Sequence, residues 1–272
     1  MNPAIYLVSI LPGVGVNQLA RPEGQALLTL LSATLAVVLL QHAINLWNDA
    51  SDWRLGADVE KKDSWVRLYG GRTAPVVRQA RVTFLLGSGV GLMLLIGMDR
   101  LWLLAYAAPL VGLGYLYNAG RRPLSYTCLG EWVTGLCYGG VFGGLWLLLR
   151  GEADRVALLG CLAFGCLASA VLLSHQPPQI ETDRRAGKLS YAARKGMEAT
   201  YRTARVLFLA FLIAWGFAVW SMSVGFVHVG LYLPAAAVAF AGACTRSPNP
   251  KYLLIAASLL FAVQELIYRL ST

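Results

Sequence analysis

Long apolar runs separated by short polar ones make up most of this chain. Nine of them, at 3–20, 25–46, 80–98, 100–118, 127–149, 154–174, 202–222, 224–243 and 251–270, approach the roughly 20 residues that a helix needs to cross a ~30 Å hydrocarbon core. Ala26 to Leu40 carries no charge at all. The first run is the weakest, broken by Pro12 and Gly13; Met1 to Tyr6 has no basic residue and no clean small-x-small site follows, so it reads as a helix and not as a cleaved signal. The pattern predicts an all-α, polytopic membrane protein, with residues 1–272 forming one transmembrane domain.

Composition agrees. Of the 272 residues 57% are hydrophobic and 14% charged, with a net charge of +9, whereas soluble domains carry about a quarter charged residues. If the nine segments alternate, the loops around 47–81, 119–126, 175–205 and 244–251 share one face and hold 18 of the 23 Lys and Arg residues. The positive-inside rule places that face in the cytoplasm. Topology thus accounts for the basic excess, and no basic stripe with interleaved stacking aromatics points to nucleic acid. The five cysteines lie in or beside apolar helices and contain no CxxC pair, so neither a disulfide framework nor a zinc site is indicated.

The polar residues concentrate in two stretches. The first, NLWNDASDWRLGADVEKKD, spans Asn45 to Asp63 directly after an apolar run. If the helix continues past Asn45, then Asn45, Asn48, Asp49 and Asp52 fall at i, i+3, i+4 and i+7, one face of the helix. Asx residues also serve as turns and caps at a solvated helix end. Acids at a helix C-terminus nonetheless oppose the macrodipole, so their placement suggests a bound cation. Oxygen ligands of this kind suit Mg²⁺, which binds one or two carboxylates together with substrate phosphates, and Lys61, Lys62, Arg67 and Arg72 follow closely enough to hold phosphate directly.

The second stretch, SHQPPQIETDRRAGKLSYAARKG, spans Ser174 to Gly196 and sits four spans later, so it opens on the same face. It sets Glu181 and Asp183 among Arg184, Arg185, Lys188, Arg194 and Lys195. A plain positive-inside loop accounts for the cations but leaves the acids incidental. Two such stretches, each after a long apolar helix, read as one divided site between facing helices around a central cavity.

Three blocks then carry a resemblance: NLWNDASDWRLGAD (Asn45 to Asp58), YNAGRRPLSYTCLGE (Tyr117 to Glu131) and IETDRRAGK (Ile180 to Lys188). Together with the helix count they resemble the UbiA superfamily of intramembrane prenyltransferases, and most closely its MenA-like branch, which prenylates naphthoquinone precursors. The resemblance implies a UbiA-like helical fold, a polyprenyl diphosphate donor bound through Mg²⁺, an aromatic small-molecule acceptor and a surrounding membrane lipid phase. Residue by residue, Asn48, Asp52 and Asp58 match the first motif and Asp183 the last acid of the second. The resemblance makes Asp52, Asp183 and Asn48 the expected catalytic residues. The expected metal ligands are Asp49, Asp52, Asp58, Glu181 and Asp183. The expected diphosphate contacts are Asn45, Lys61, Arg67, Arg72, Arg184, Lys188 and Gln179. Metal and cations together would stabilise the departing diphosphate, and a dry pocket would protect the allylic cation.

One position departs from the family pattern. The second motif usually reads Asp-x-x-x-Asp, and here the pair is Gln179 and Asp183. Gln179 offers a carbonyl oxygen without the charge. Glu181 is the obvious substitute, yet helical geometry makes it project elsewhere. Three readings therefore stay open: a prenyltransferase of aromatic acceptors, a terpene cyclase of the same superfamily, and a binding homologue that has lost its chemistry. Outside the two stretches, His42 reads as a hydrogen-bonded core residue and Glu131 as an acid favoured by a helix N-terminus. Glu265, costly in lipid, requires a polar partner. Trp47, Trp53 and Trp65 suit an interfacial belt.

Overall fold

The computed structural model describes residues 6–57, 63–120, 123–222 and 226–271. Helix is the only regular structure among them. The elements are α1 (Leu7–Ala20), α2 (Gly24–Leu55), α3 (Trp65–Leu68), α4 (Thr73–Gly97), α5 (Leu104–Asn118), α6 (Gly130–Arg150), α7 (Arg155–His175), α8 (Ile180–Arg185), α9 (Tyr191–Lys195), α10 (Met197–Ser221), α11 (Phe226–Cys244) and α12 (Pro250–Ser271). Single 3₁₀ turns precede α5, α6 and α8.

Among the described residues seven helices are long and apolar enough to cross a membrane: α2, α4, α5 with its leading turn, α6, α7, α10 and α12. The other two expected spans are the shorter apolar helices at Leu7–Ala20 and Gly230–Cys244. Among the described residues seven helices, not the nine expected, thus have the length and apolar character of a crossing, because the first and eighth apolar runs form shorter helices there, the first of only 14 residues. Leu85, Met93, Leu158, Leu233 and Val238 are each more than 60% exposed. An apolar surface of that extent is stable only when something other than water covers it, and the chain is an integral membrane protein.

Inside, α7 packs between α6 and α10, and α2 packs along α4. Small residues set the first approach: a Cβ on Gly165 of α7 would stand 2.9 Å from the carbonyl oxygen of Gly135 on α6, and one on Gly139 would strike the carbonyl oxygen of Cys161. In lipid, where burying apolar side chains against each other gains little, such backbone proximity is a main source of helix association. Phe142, Phe164, Trp215 and Phe261 then interlock, with ring centroids 5.2 Å (Phe142–Phe164), 5.6 Å (Phe164–Trp215) and 4.9 Å (Trp215–Phe261) apart. The Trp215 indole N–H donates to Gln264 Oε1 at 2.9 Å.

The ends of α2, α5 and α7 and the starts of α4, α6 and α10 gather at one end of this bundle, where both polar stretches lie. Near the opposite end Glu265 has the polar partners that an acid in an apolar helix demands. Arg21 Nη1 lies 2.6 Å from its Oε2 and Arg269 Nε 2.9 Å from its Oε1, and the Arg21 guanidinium also stacks on Tyr268 at 3.6 Å.

Candidate active site

The first wall of the site stands on α2, which does not stop at Asn45 but continues to Leu55 and closes on Gly56. That glycine adopts φ +88°, the left-handed cap that favours a residue without a side chain. Leu46 and Ala50, both 0% exposed, anchor this last part of the helix against Val66, Val76 and Ala80. Trp47, Trp53 and Trp65 border that cluster, and Trp47 packs on Phe84 and Tyr115 at 5.2 and 5.6 Å.

Asp52 is buried. Its Oδ2 accepts from Asn48 Nδ2 at 2.9 Å, one turn earlier on the helix, and from Lys188 Nζ at 3.2 Å. The two sequence stretches therefore meet at a single carboxylate, 136 residues apart in the chain. Lys188 also stands 5.2 Å over the ring of Tyr126, a residue of the middle sequence block.

The second wall is a strap of short pieces. Pro177 and Pro178 end α7, α8 follows, and α9 returns the chain to α10. Asp183 is buried, its Oδ2 accepting from Ser190 Oγ at 2.6 Å, and its backbone carbonyl accepts from Lys188 N at 2.8 Å. Asp183 and Lys188 thus belong to one turn, tied at both its side chain and its backbone.

Below this junction the interior stays polar. Asn118 Nδ2 donates to the carbonyl of Ile44 at 2.9 Å. Ser9 Oγ donates to Gln41 Oε1. Tyr117 comes within reach of Thr134 and of the Lys188 and Asp52 charges, and Tyr138 within reach of Ser9 and Gln41. Asp52 Oδ1, Asn45 Nδ2 and Asn118 Oδ1 are buried with no hydrogen-bond partner among the described residues. Polar atoms left so are costly unless a ligand, ion or water completes them. His42, as expected, is hydrogen-bonded, to Tyr6 Oη at 2.6 Å and Gln79 Nε2 at 3.5 Å.

Several expected site residues stand elsewhere. Asp49 Oδ2 accepts from Ser64 Oγ at 2.9 Å and from the backbone N–H of Val66 at 3.2 Å, so it caps α3. Three residues of helix rotate a side chain by about 60° relative to its partner, which is enough to turn Asp49 toward α3 while Asp52 faces the interior. Glu181, with a side chain 75% exposed, points outward and pairs with Arg184 at 3.5 Å, because its neighbour two positions on, Asp183, occupies the inward face. Arg184 also donates to the carbonyl of Ala193 at 3.2 Å. Arg67 and Arg72 are exposed on the α3 segment, the Arg72 Nε donating to the carbonyl of Tyr69 at 3.3 Å. Gln179 uses its backbone, accepting from Thr182 Oγ1 at 2.9 Å and donating to the carbonyl of Gln176 at 2.8 Å. Asp58 and Lys61 lie outside the described residues.

The sequence reading missed the role of Glu131 and Gln176. Glu131 Oε1 accepts from Gln176 Nε2 at 2.9 Å and from the backbone N–H of Tyr191 at 2.7 Å. Gln176 Oε1 accepts from the N–H of Ala192 at 3.2 Å. An acid in a first helical turn has a sufficient local explanation, so only its burial reveals the further contact.

Among the described residues no three His, Cys, Asp or Glu side chains converge as a metal cage. Two buried carboxylates do border the junction, and one of them keeps an uncompleted oxygen. That set fits Mg²⁺, which takes few protein ligands and completes its shell with water and phosphate, and does not fit the closed N/S shell of a structural zinc.

Residues 7–262 match the family model described as "UbiA prenyltransferase family". The chain is 33% identical over 171 residues to the 1,4-dihydroxy-2-naphthoate octaprenyltransferase of Mycobacterium tuberculosis, the match covering 61% of this chain and 58% of that protein. It is 30% identical over 206 residues to the enzyme of the same name from Haemophilus influenzae, covering 71% of this chain and 65% of that protein. The match thus spans under two thirds of either relative's length. In fold it is similar to an apo UbiA homologue from Aeropyrum pernix K1, with a TM-score of 0.69, 16% identity and coverage of 99% and 100% of the two chains. It is also similar to a UbiA homologue from Archaeoglobus fulgidus bound to DMAPP and Mg²⁺, with a TM-score of 0.62, 14% identity and coverage of 97% and 96%. With the family match running through nearly the whole membrane bundle and including both walls of the site, the chain belongs to the UbiA prenyltransferase family.

Proposed function

We propose that the chain transfers a prenyl group from a polyprenyl diphosphate to an aromatic acceptor of the dihydroxynaphthoate type, with Mg²⁺ as cofactor. The observation that carries this reading is the junction of Asp52, Asn48, Asp183 and Lys188, an acid and cation pair at the mouth of a polar interior enclosed by apolar helices.

Asp52 and Asp183 would hold Mg²⁺, and the family's motif adds Asp58 to the set of ligands. When bound, the ion neutralises diphosphate charge and so makes it a better leaving group. Lys188 binds a diphosphate oxygen as a point charge once it leaves Asp52, and Asn48 keeps the Asp52 carboxylate oriented. The allylic C–O bond breaks with its electron pair going to the diphosphate. The acceptor ring then supplies the pair that forms the new C–C bond, and the proton displaced from that carbon passes to the released diphosphate. Asn118 and Tyr117, polar groups below the junction, suit the ring's oxygen substituents, and Asn45, with its buried Nδ2 free to donate, stays a diphosphate contact. The apolar walls exclude water, which would otherwise capture the cation. Arg67, Arg72, Arg184 and Gln179 are assigned lesser parts, because reaching the diphosphate would require them to leave their present contacts or exposed positions.

The relatives named above are bacterial enzymes, and the same reading places this chain in a bacterial inner membrane with the junction on the cytoplasmic, Lys/Arg-rich side. Product analysis tests the whole. Membranes containing the chain, given a polyprenyl diphosphate and Mg²⁺, should release diphosphate and prenylated product only when dihydroxynaphthoate is added. Cyclised hydrocarbon without acceptor would make it a cyclase. Absence of diphosphate release under every condition would make it a binding homologue, the reading that Gln179 favours.

A further inference from the structure

Lys188 lies on a strap, residues 186–196, whose only regular element is the five-residue α9. A helix that short does not hold itself together, and a lysine on a flexible stem finds one carboxylate reliably only if its backbone is fixed. The strap is fixed by contacts from outside. The N–H of Leu189 donates to the carbonyl of Tyr126 at 3.1 Å, that of Tyr191 to Glu131 Oε1 at 2.7 Å and that of Ala192 to Gln176 Oε1 at 3.2 Å. Gln176 Nε2 then ties the two acceptors together through Glu131 Oε1 at 2.9 Å. Arg194 closes the ring, with Nη2 3.5 Å from Glu131 Oε2 and Nε donating to the carbonyl of Leu189 at 2.9 Å. Glu131 has a side chain only 12% exposed and Gln176 is 6% exposed overall, so these bonds do not compete freely with water.

We propose that Glu131 and Gln176 are positioning residues, a tether from the start of α6 and the end of α7 that holds the strap so that Lys188 reaches the Asp52 carboxylate and, in turn, a bound diphosphate. Neither residue touches the substrate in this scheme. Their effect passes through Lys188, three positions before Tyr191. The inference rests on the prenyltransferase reading and gives that reading a dependence on residues outside the two motifs.

The test is steady-state kinetics of the full chain in membranes with a polyprenyl diphosphate and dihydroxynaphthoate. Lys188→Ala should raise KM for the diphosphate by about tenfold or more, the loss of one charged hydrogen bond. Glu131→Ala should raise the same KM by a comparable factor and leave the KM for the acceptor unchanged. In the Lys188→Ala background, Glu131→Ala should add less than about twofold, since both changes remove one interaction. Glu131→Gln, which keeps an acceptor for Tyr191 N–H, should fall between. An unchanged diphosphate KM in Glu131→Ala, or an effect fully additive with Lys188→Ala, overturns the tether. If Glu131→Ala fails to accumulate in the membrane, Gln176→Ala, which breaks the bonds to Glu131 and Ala192, is read by the same criteria. A Lys188→Ala enzyme with the parent's KM sinks the site assignment itself, whatever the tether variants do.

Discussion

The two walls of the junction are built in opposite ways. Asn48 and Asp52 stand on an unbroken helix of 32 residues, fixed through Leu46 and Ala50 at 0% exposure. Asp183 and Lys188 stand on a chain of pieces after Pro177 and Pro178, where the helix N–H groups that prolines lack cannot be made up locally. The first wall is rigid by packing. The second is held by hydrogen bonds reaching in from Tyr126, Glu131 and Gln176. The difference suits the proposed chemistry, which would use a fixed carboxylate for Mg²⁺ and a strap whose lysine exchanges Asp52 for an incoming phosphate.

The largest effect should come from the rigid wall. Asp52→Asn removes the carboxylate on which both stretches converge, and activity should fall at least about a hundredfold, beyond the roughly 10–100-fold that losing a mere outer partner of a metal site costs. Initial rates across a Mg²⁺ titration check this, and unchanged turnover with unchanged Mg²⁺ dependence would remove Asp52 from the metal site. Asp49→Ala, on the same helix but turned to α3, should act on stability. Loss of the cap costs about 1 kcal/mol, so thermal unfolding in detergent should shift down by a few degrees, with a far smaller loss of turnover than Asp52→Asn. Equal losses in the two variants would erase the distinction between a ligand and a cap. The smallest effect belongs to the strap: Gln179→Asp adds a charged oxygen one turn before Asp183 and should lower the Mg²⁺ concentration for half-maximal rate by a few-fold. A variant that loses activity instead would give the Gln179 side chain a role of its own.

How much was legible follows from the same contrast. Helix-borne features follow from spacing. Given an α2 that reaches past Asn45, the i, i+4 pairing of Asn48 with Asp52 required only the period of a helix. The outward turn of Glu181 did too, and Glu265 needed a partner simply because it was an acid in an apolar run. Asp49 shows the limit of that reasoning, since a face about 100° wide has two edges and only the position of Ser64 decides that Asp49 serves α3. Arg67, Arg72 and Arg184 were read from charge alone, and charge within a loop carries no direction.

The sequence by itself determined that this chain lives in a membrane, roughly where its apolar helices lie, and that two acid-and-base stretches open on one end, because apolar content, charge placement and helical period are local properties; where α2 and α4 stop and start, Leu55 and Thr73 against the expected 46 and 80, was not among them. Only the tertiary structure decided which cation meets which carboxylate. Lys188 was one of many loop cations, and it reaches Asp52 because Glu131, from the start of another helix, and Gln176, a neutral residue of the same stretch, satisfy backbone N–H groups that the short α9 leaves without intrahelical partners.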